Sequence, residues 1–146
     1  MLNLGLLGAG LVMGIAALGS GLGIGIAGSA TIGAWKKCYI ANKPAPMTLL
    51  AFAGAPLTQT FYGYILMGQI KSAAISSPAN GWLYVGFGLA SGIAMAFSAI
   101  AQGRAGAAAA DAQGETGKGF AQYIAVVGIC ETVALFAMVL SMISLG

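Results

Sequence analysis

Long apolar stretches alternate with short charged segments along this chain, and the pattern predicts four membrane-spanning helices. The chain carries six Lys and Arg and three Asp and Glu residues, which gather mainly in the segments that connect the stretches. A helix that crosses a bilayer needs about 20 apolar residues at a rise of roughly 1.5 Å each. Each stretch is long enough to cross once, and we predict spans over about residues 3–35, 46–76, 80–110 and 118–145.

The composition supports an all-α integral membrane protein. Hydrophobic residues make up 59% of the chain and charged residues 6%, whereas a soluble domain carries roughly 25% charged residues. The first stretch lacks a basic flank at its start, and it is about twice as long as the apolar region of a signal peptide. We therefore expect it to be retained as a helix.

Basic residues lie in the loop between the first two predicted spans and flank the connection between the third and the fourth. Because Lys and Arg concentrate in cytoplasmic loops, we expect both loops to be cytoplasmic and both termini to lie outside, in a multi-pass protein of the cell membrane. The sequence pI of about 9.0 then reflects topology and lipid head groups, and we expect no nucleic-acid partner. The basic residues concerned are Lys36, Lys37, Lys43, Arg104 and Lys118.

The sequence repeats itself. Residues 20–25 align with residues 98–103, a shift of 78 positions, and Gln59 aligns with Glu131 in the weaker match between the second and fourth spans. This predicts two tandem helical hairpins, residues 1–78 and 79–146, which cross the membrane in the same direction as a parallel repeat.

Glycine and alanine are abundant in the first and third spans. Membrane helices associate through close backbone approach at small residues. Such thin helices suit the inner wall of a homo-oligomeric ring, although ordinary pairwise packing of helices explains some of the glycines equally well.

Glu131 is predicted near the middle of the last span, where an ionisable side chain costs about 2.5 to 3.5 kcal/mol and therefore indicates function. Thr58, Gln59 and Tyr62 share one face of the second span, and the third span adds Gln102. Oxygen ligands with a single negative charge favour a monovalent cation such as Na⁺. A proton carrier needs little more than the carboxyl group, and the amides can also serve as hydrogen bonds between helices.

Three motifs resemble the proteolipid (c or K) subunit of V-type rotary ATPases in its sodium-binding bacterial form. They are Pro56-Leu57-Thr58-Gln59 with Tyr62, Ala101-Gln102-Gly103-Arg104, and Glu131-Thr132. Leu57 departs mildly from the family, which often has Gly there. The resemblance implies one Na⁺ per chain, with a hydrogen bond from Tyr62 to the carboxylate. The ligands that it implies are Glu131, Gln102, Thr58, Gln59 and the backbone carbonyl of Ala55.

The resemblance also implies a rotor ring of identical subunits in the lipid, turned against a stator membrane subunit that carries an essential arginine. The ring would connect to the central stalk of the ATPase and couple ion movement to ATP hydrolysis or synthesis. The chain would then be an ion-translocating subunit and no enzyme on its own, and it contains no His. A proton-carrying rotor of the same family and a small channel-forming protein are the alternatives.

Overall fold

The computed structural model describes residues 3–145, and every regular element in that range is helical. The prediction of an all-α protein is therefore confirmed. Two short 3₁₀ turns, Ala55–Leu57 and Pro78–Asn80, interrupt the α-helices. The α-helices are α1 (Leu4–Ile40), α2 (Leu49–Gly54), α3 (Thr58–Ser76), α4 (Gly81–Thr116) and α5 (Phe120–Leu145).

The structure divides the second predicted span, residues 46–76, into α2 and α3. The sequence analysis predicted one continuous helix there. Pro56 has no backbone N–H to donate, so the helix tightens into the 3₁₀ turn between α2 and α3. Within the described residues, three helices are by themselves long and apolar enough to cross a membrane. They are Leu4–Ile40, Pro78–Thr116 and Phe120–Leu145.

Helices α1 and α4 form the centre of the fold, and they touch backbone to backbone. A Cβ atom built on Gly88 lies 2.1 Å from the carbonyl oxygen of Gly8, and one built on Gly103 lies 2.3 Å from that of Gly23. Only glycine fits at these crossings, as expected for helices that associate through small residues. Helix α3 packs against α1, α5 packs against α4, and α3 and α5 also contact each other.

The ends of the central helices are fixed by polar contacts. Asn3 accepts a hydrogen bond from the backbone N–H of Gly5 at 3.0 Å and donates one to the carbonyl of Ala74, also at 3.0 Å. Gly117 ends α4 in the left-handed conformation with φ of 67°, which favours glycine. The contact of Asn3 with Ala74 connects the start of α1 to the end of α3.

Candidate cation site

Glu131 lies half-buried on α5, on the side that faces α3 and α4. The Tyr62 hydroxyl of α3 donates a hydrogen bond to Oε1 of Glu131. Nε2 of Gln102, on α4, donates to Oε2 at 3.2 Å. Each of the two carboxylate oxygens of Glu131 therefore has a hydrogen-bond partner on a neighbouring helix.

Gln102 connects the three helices around the carboxylate, and its side chain is fully buried. Besides its contact with Glu131, Nε2 donates to the carbonyl of Val127 on α5 at 3.1 Å. Its Oε1 accepts from Nε2 of Gln59 on α3 at 2.8 Å. Fully satisfied networks of this kind hold buried polar side chains in one arrangement.

The break at Pro56 adds a cluster of oxygens beside the amides. Thr58 Oγ1 lies 3.1 Å from the carbonyl oxygen of Ala55 and 3.3 Å from Oε1 of Gln59. A hydroxyl has one proton, so it can donate to only one of these two oxygens at a time. The turn that creates this cluster fits closely against α1, because a Cβ atom on Gly23 would lie 2.8 Å from Cβ of Pro56.

The structure brings all of the residues predicted for the site into one connected network. The chain of contacts runs from the Ala55 carbonyl through the side chains of α3 to Gln102, and from there to Glu131 and Tyr62. The network includes every member of the predicted set, namely Ala55, Thr58, Gln59, Tyr62, Gln102 and Glu131. That these residues bind Na⁺ stays a prediction.

Ser98 also belongs to this network, although sequence reasoning did not identify it as a site residue. Its buried hydroxyl donates to the carbonyl of Cys130 at 2.7 Å and accepts from Nε2 of Gln59 at 3.3 Å. Ser98 precedes Gln102 by four residues, so the two side chains lie on one face of α4. That spacing was the available signal for the role of Ser98.

A second polar contact joins α4 and α5 away from Glu131. The hydroxyls of Ser91 and Ser141 lie 2.7 Å apart, and both residues are buried. This pair holds the same two helices together without touching the network around the carboxylate, and it therefore offers a control for experiments on the site.

Comparison with known proteins shows what the chain is similar to. Residues 85–144, which include Gln102 and Glu131, match the ATP synthase C-subunit family. The chain is 36% identical over 103 residues to the A-type ATP synthase subunit K of Methanocaldococcus jannaschii, covering 70% of this chain and 43% of the relative. The chain therefore spans less than half the length of that protein. These matches confirm that the chain resembles the proteolipid c and K subunits of A- and V-type ATPases, as the motifs predicted.

Proposed function

We propose that the chain is a subunit of a membrane rotor ring, binds one Na⁺ at Glu131 and carries it across the membrane, coupled to ATP hydrolysis or synthesis. The observation that supports Na⁺ most directly is that Glu131 lies in one hydrogen-bond network with the oxygens of Gln102, Gln59, Thr58 and Ala55. A proton carrier needs little more than the carboxyl group, whereas Na⁺ needs several oxygen ligands around it. The network therefore supports Na⁺ over a proton as the ion.

A charged carboxylate within the membrane needs a compensating positive charge, because an unpaired buried charge is strongly unfavourable. Na⁺ would neutralise the single charge of Glu131, whereas a divalent ion would leave an excess of one. The oxygens of Thr58, Gln59 and Gln102 supply the hard, uncharged ligands that such an ion prefers.

The hydrogen bond between the Gln59 and Gln102 amides marks the place where we expect the ion to bind. In the structure, Oε1 of Gln102 accepts from Nε2 of Gln59 at 2.8 Å. A cation at this place would replace that N–H as the partner of the Gln102 oxygen, and rotation of the Gln59 amide would present its oxygen instead. The Thr58 hydroxyl lies close to both Oε1 of Gln59 and the carbonyl oxygen of Ala55, and it can donate its one proton to only one of them at a time. This surplus of oxygens supports the same position for the cation.

The position of Glu131 suits ion exchange at the outer surface of a ring. The carboxylate faces α3 and α4, but Ile129 and Val133 beside it on α5 are exposed on the outer side of the chain. We infer that each copy loads an ion from a stator subunit, carries it neutralised past the lipid and releases it beside an arginine of the stator. In this proposal the loops after α1 and α4 are cytoplasmic, and the loops contact the central stalk.

Carbodiimide labelling tests the choice of ion. A hydrophobic carbodiimide reacts with a protonated carboxyl group, so Na⁺ bound at Glu131 should slow labelling, most strongly at higher pH where protons are scarcer. K⁺ at the same concentration controls for ionic strength. Thr58→Ala and Gln102→Ala should weaken the protection by Na⁺ while the carboxyl stays reactive.

Two outcomes would contradict this assignment. Labelling of Glu131 that is indifferent to Na⁺ across the accessible pH range would indicate a proton-carrying rotor. Retained transport in Glu131→Gln would remove Glu131 from the mechanism altogether. Reconstitution of the purified chain in vesicles separates a rotor subunit from a channel, because only a channel conducts ions by itself.

A further inference from the structure

A buried serine of α1 stands outside the hydrogen-bond network of the site. Ser20 is 2% exposed, and its hydroxyl has no hydrogen-bond partner among residues 3–145. A buried polar group without a partner is unfavourable, so each one in a folded protein needs an explanation. Ser20 is also the counterpart of Ser98 in the internal repeat, and Ser98 belongs to the network.

Two close contacts define how α1 lies against the helical segment that carries Gln59. A Cβ atom built on Gly63 lies 2.7 Å from Cβ of Ala16, and one built on Gly23 lies 2.8 Å from Cβ of Pro56. Between these two contacts, α1 and the segment of α3 with its 3₁₀ turn each advance by seven residues, in opposite directions. The two segments are therefore antiparallel and matched residue for residue between the contacts.

This packing brings Ser20 to the level of Gln59. Ser20 lies four residues after Ala16, and Gln59 lies four residues before Gly63 on the antiparallel helix. Residues three or four apart share one face of a helix, so Ser20 lies on the face of α1 that carries Ala16 and Gly23 against α3. Gln59 is itself fully buried.

Helix α4 presents Ser98 at the same level. A Cβ atom built on Gly19, the residue before Ser20, would lie 2.2 Å from Cα of Ala96. Ser98 follows Ala96 by two residues, less than one turn of α4. Gln59 thus lies level with two serines, of which Ser98 accepts a hydrogen bond from its Nε2 at 3.3 Å.

We propose that Ser20 is a positioning residue of the cation site, which accepts a hydrogen bond from the Gln59 amide when Na⁺ is bound. This inference rests on the proposed function and extends it to α1. In the proposed Na⁺ state the Gln59 amide rotates so that its oxygen faces the ion, and Nε2 then loses Oε1 of Gln102 as its acceptor. The Ser20 hydroxyl offers a new acceptor at the level of Gln59.

The hydroxyl of Ser20 can accept this N–H and place its own proton as well. A serine in a helix can donate to the carbonyl four residues earlier, as Ser72 does at 3.1 Å and Ser144 at 2.8 Å. Rotation about χ1 would direct the Ser20 proton to the Ala16 carbonyl and leave the oxygen lone pairs for Gln59. Ion binding then satisfies a hydroxyl that is unpartnered within the described chain, so Ser20 should favour the Na⁺-bound state.

Ser20→Ala tests this role through the protection of Glu131 from carbodiimide by Na⁺. Alanine already occupies the same face at Ala16 and Ala27, so we expect the variant to fold. The half-protecting Na⁺ concentration, at which labelling falls to half its rate without Na⁺, should rise about two- to tenfold, as for the loss of one neutral hydrogen bond. The labelling rate without Na⁺ and its pH dependence should stay unchanged, because Ser20 acts in the ion-bound state.

Thr31→Val is the matched control on the same helix. Thr31 is 1% exposed, and its hydroxyl likewise has no partner in the described part of the chain. It lies eleven residues after Ser20, or roughly 16 Å further along α1, so its loss should leave the half-protecting Na⁺ concentration unchanged. An equal rise in Thr31→Val and Ser20→Ala would show a general effect of helix packing and overturn the role of Ser20.

A double variant separates a specific contact from a general loss of packing. Gln59→Met keeps the length of the side chain and removes the amide, so adding Ser20→Ala in this background should cause no further rise. The same fold rise in both backgrounds, or no rise in Ser20→Ala alone, would overturn the proposal.

The unmodified chain shows which inference has failed. If Na⁺ protects Glu131 there, these contrary outcomes refute only the role of Ser20. If Na⁺ gives no protection, the proposed Na⁺ site is wrong and the role of Ser20 falls with it.

Discussion

Replacing Tyr62 with phenylalanine tests how the carboxylate of Glu131 is held. The substitution removes only the hydroxyl that donates to Oε1 of Glu131 and leaves the ring of the side chain in place. The half-buried tyrosine fills the same space as phenylalanine, so we expect the chain to fold and to assemble as before.

The expected effect follows from the difference between two hydrogen bonds. A hydrogen bond to a charged group contributes about 1.5–3 kcal/mol and a neutral one about 0.5–1.5 kcal/mol. The Na⁺-bound carboxylate is charged and the carbodiimide-reactive form is neutral, so the hydroxyl favours the Na⁺ form by about 1 to 1.5 kcal/mol. Because 1.4 kcal/mol corresponds to a factor of ten, Tyr62→Phe should raise the Na⁺ concentration that halves the labelling rate about five- to tenfold.

The assay measures the labelling rate of Glu131 against Na⁺ concentration at a fixed pH. Tyr64→Phe is the matched control, since Tyr64 lies two residues further along α3, is exposed, and should leave the half-protecting concentration unchanged. If Tyr62→Phe and Tyr64→Phe give the same half-protecting concentration as the unmodified chain, Tyr62 does not hold the carboxylate in the ion-bound state.

Two further substitutions address the network and the packing that positions it. Ser98→Ala removes the contacts with Gln59 and the Cys130 carbonyl and should raise the half-protecting Na⁺ concentration several-fold in the same labelling assay. Ser91→Ala is the control, because it removes the contact with Ser141 between the same two helices and should leave the half-protecting concentration unchanged. Gly88→Ala places a Cβ 2.1 Å from the Gly8 carbonyl and should lower the thermal unfolding midpoint in detergent, with a cost of about 1 to 3 kcal/mol, while Gly68→Ala on open helix surface should be neutral. An unchanged midpoint in Gly88→Ala would show that the two backbones can separate at little cost.

The sequence predicted the helical content and the residues of the network for different physical reasons. Long apolar stretches predict membrane helices because a backbone surrounded by lipid must satisfy its own N–H and C=O groups, which a helix does within one segment. Glu131, Gln102 and Gln59 could be identified because polar side chains are costly among apolar residues, so each one indicates a partner. The motif resemblance then indicated which partners those are.

The remaining features depend on three-dimensional contacts that no local pattern reports. Ser98 is a small residue of a type common in membrane helices, and only its distances to Gln59 and Cys130 show that it supports the site. The turn at Pro56 packs against Gly23, which lies far away in the sequence. A proline predicts that a helix is disturbed, but the packing determines how the chain continues after it.

The network also explains why a duplicated chain has a single carboxylate in its spans. Gln59 stands at the repeat position of Glu131, and Ile24 stands at that of Gln102, so the first hairpin lacks both the charge and the amide of a second site. Gln59 instead reaches α4 of the other hairpin, where its Nε2 lies 2.8 Å from Oε1 of Gln102. The two hairpins thus complete one site together. In the proposed rotor, the ring then carries half as many ions per turn as a ring with the same number of hairpins in which every hairpin has its own carboxylate. The ATP energy available for each ion is correspondingly larger, which favours pumping against a steep gradient.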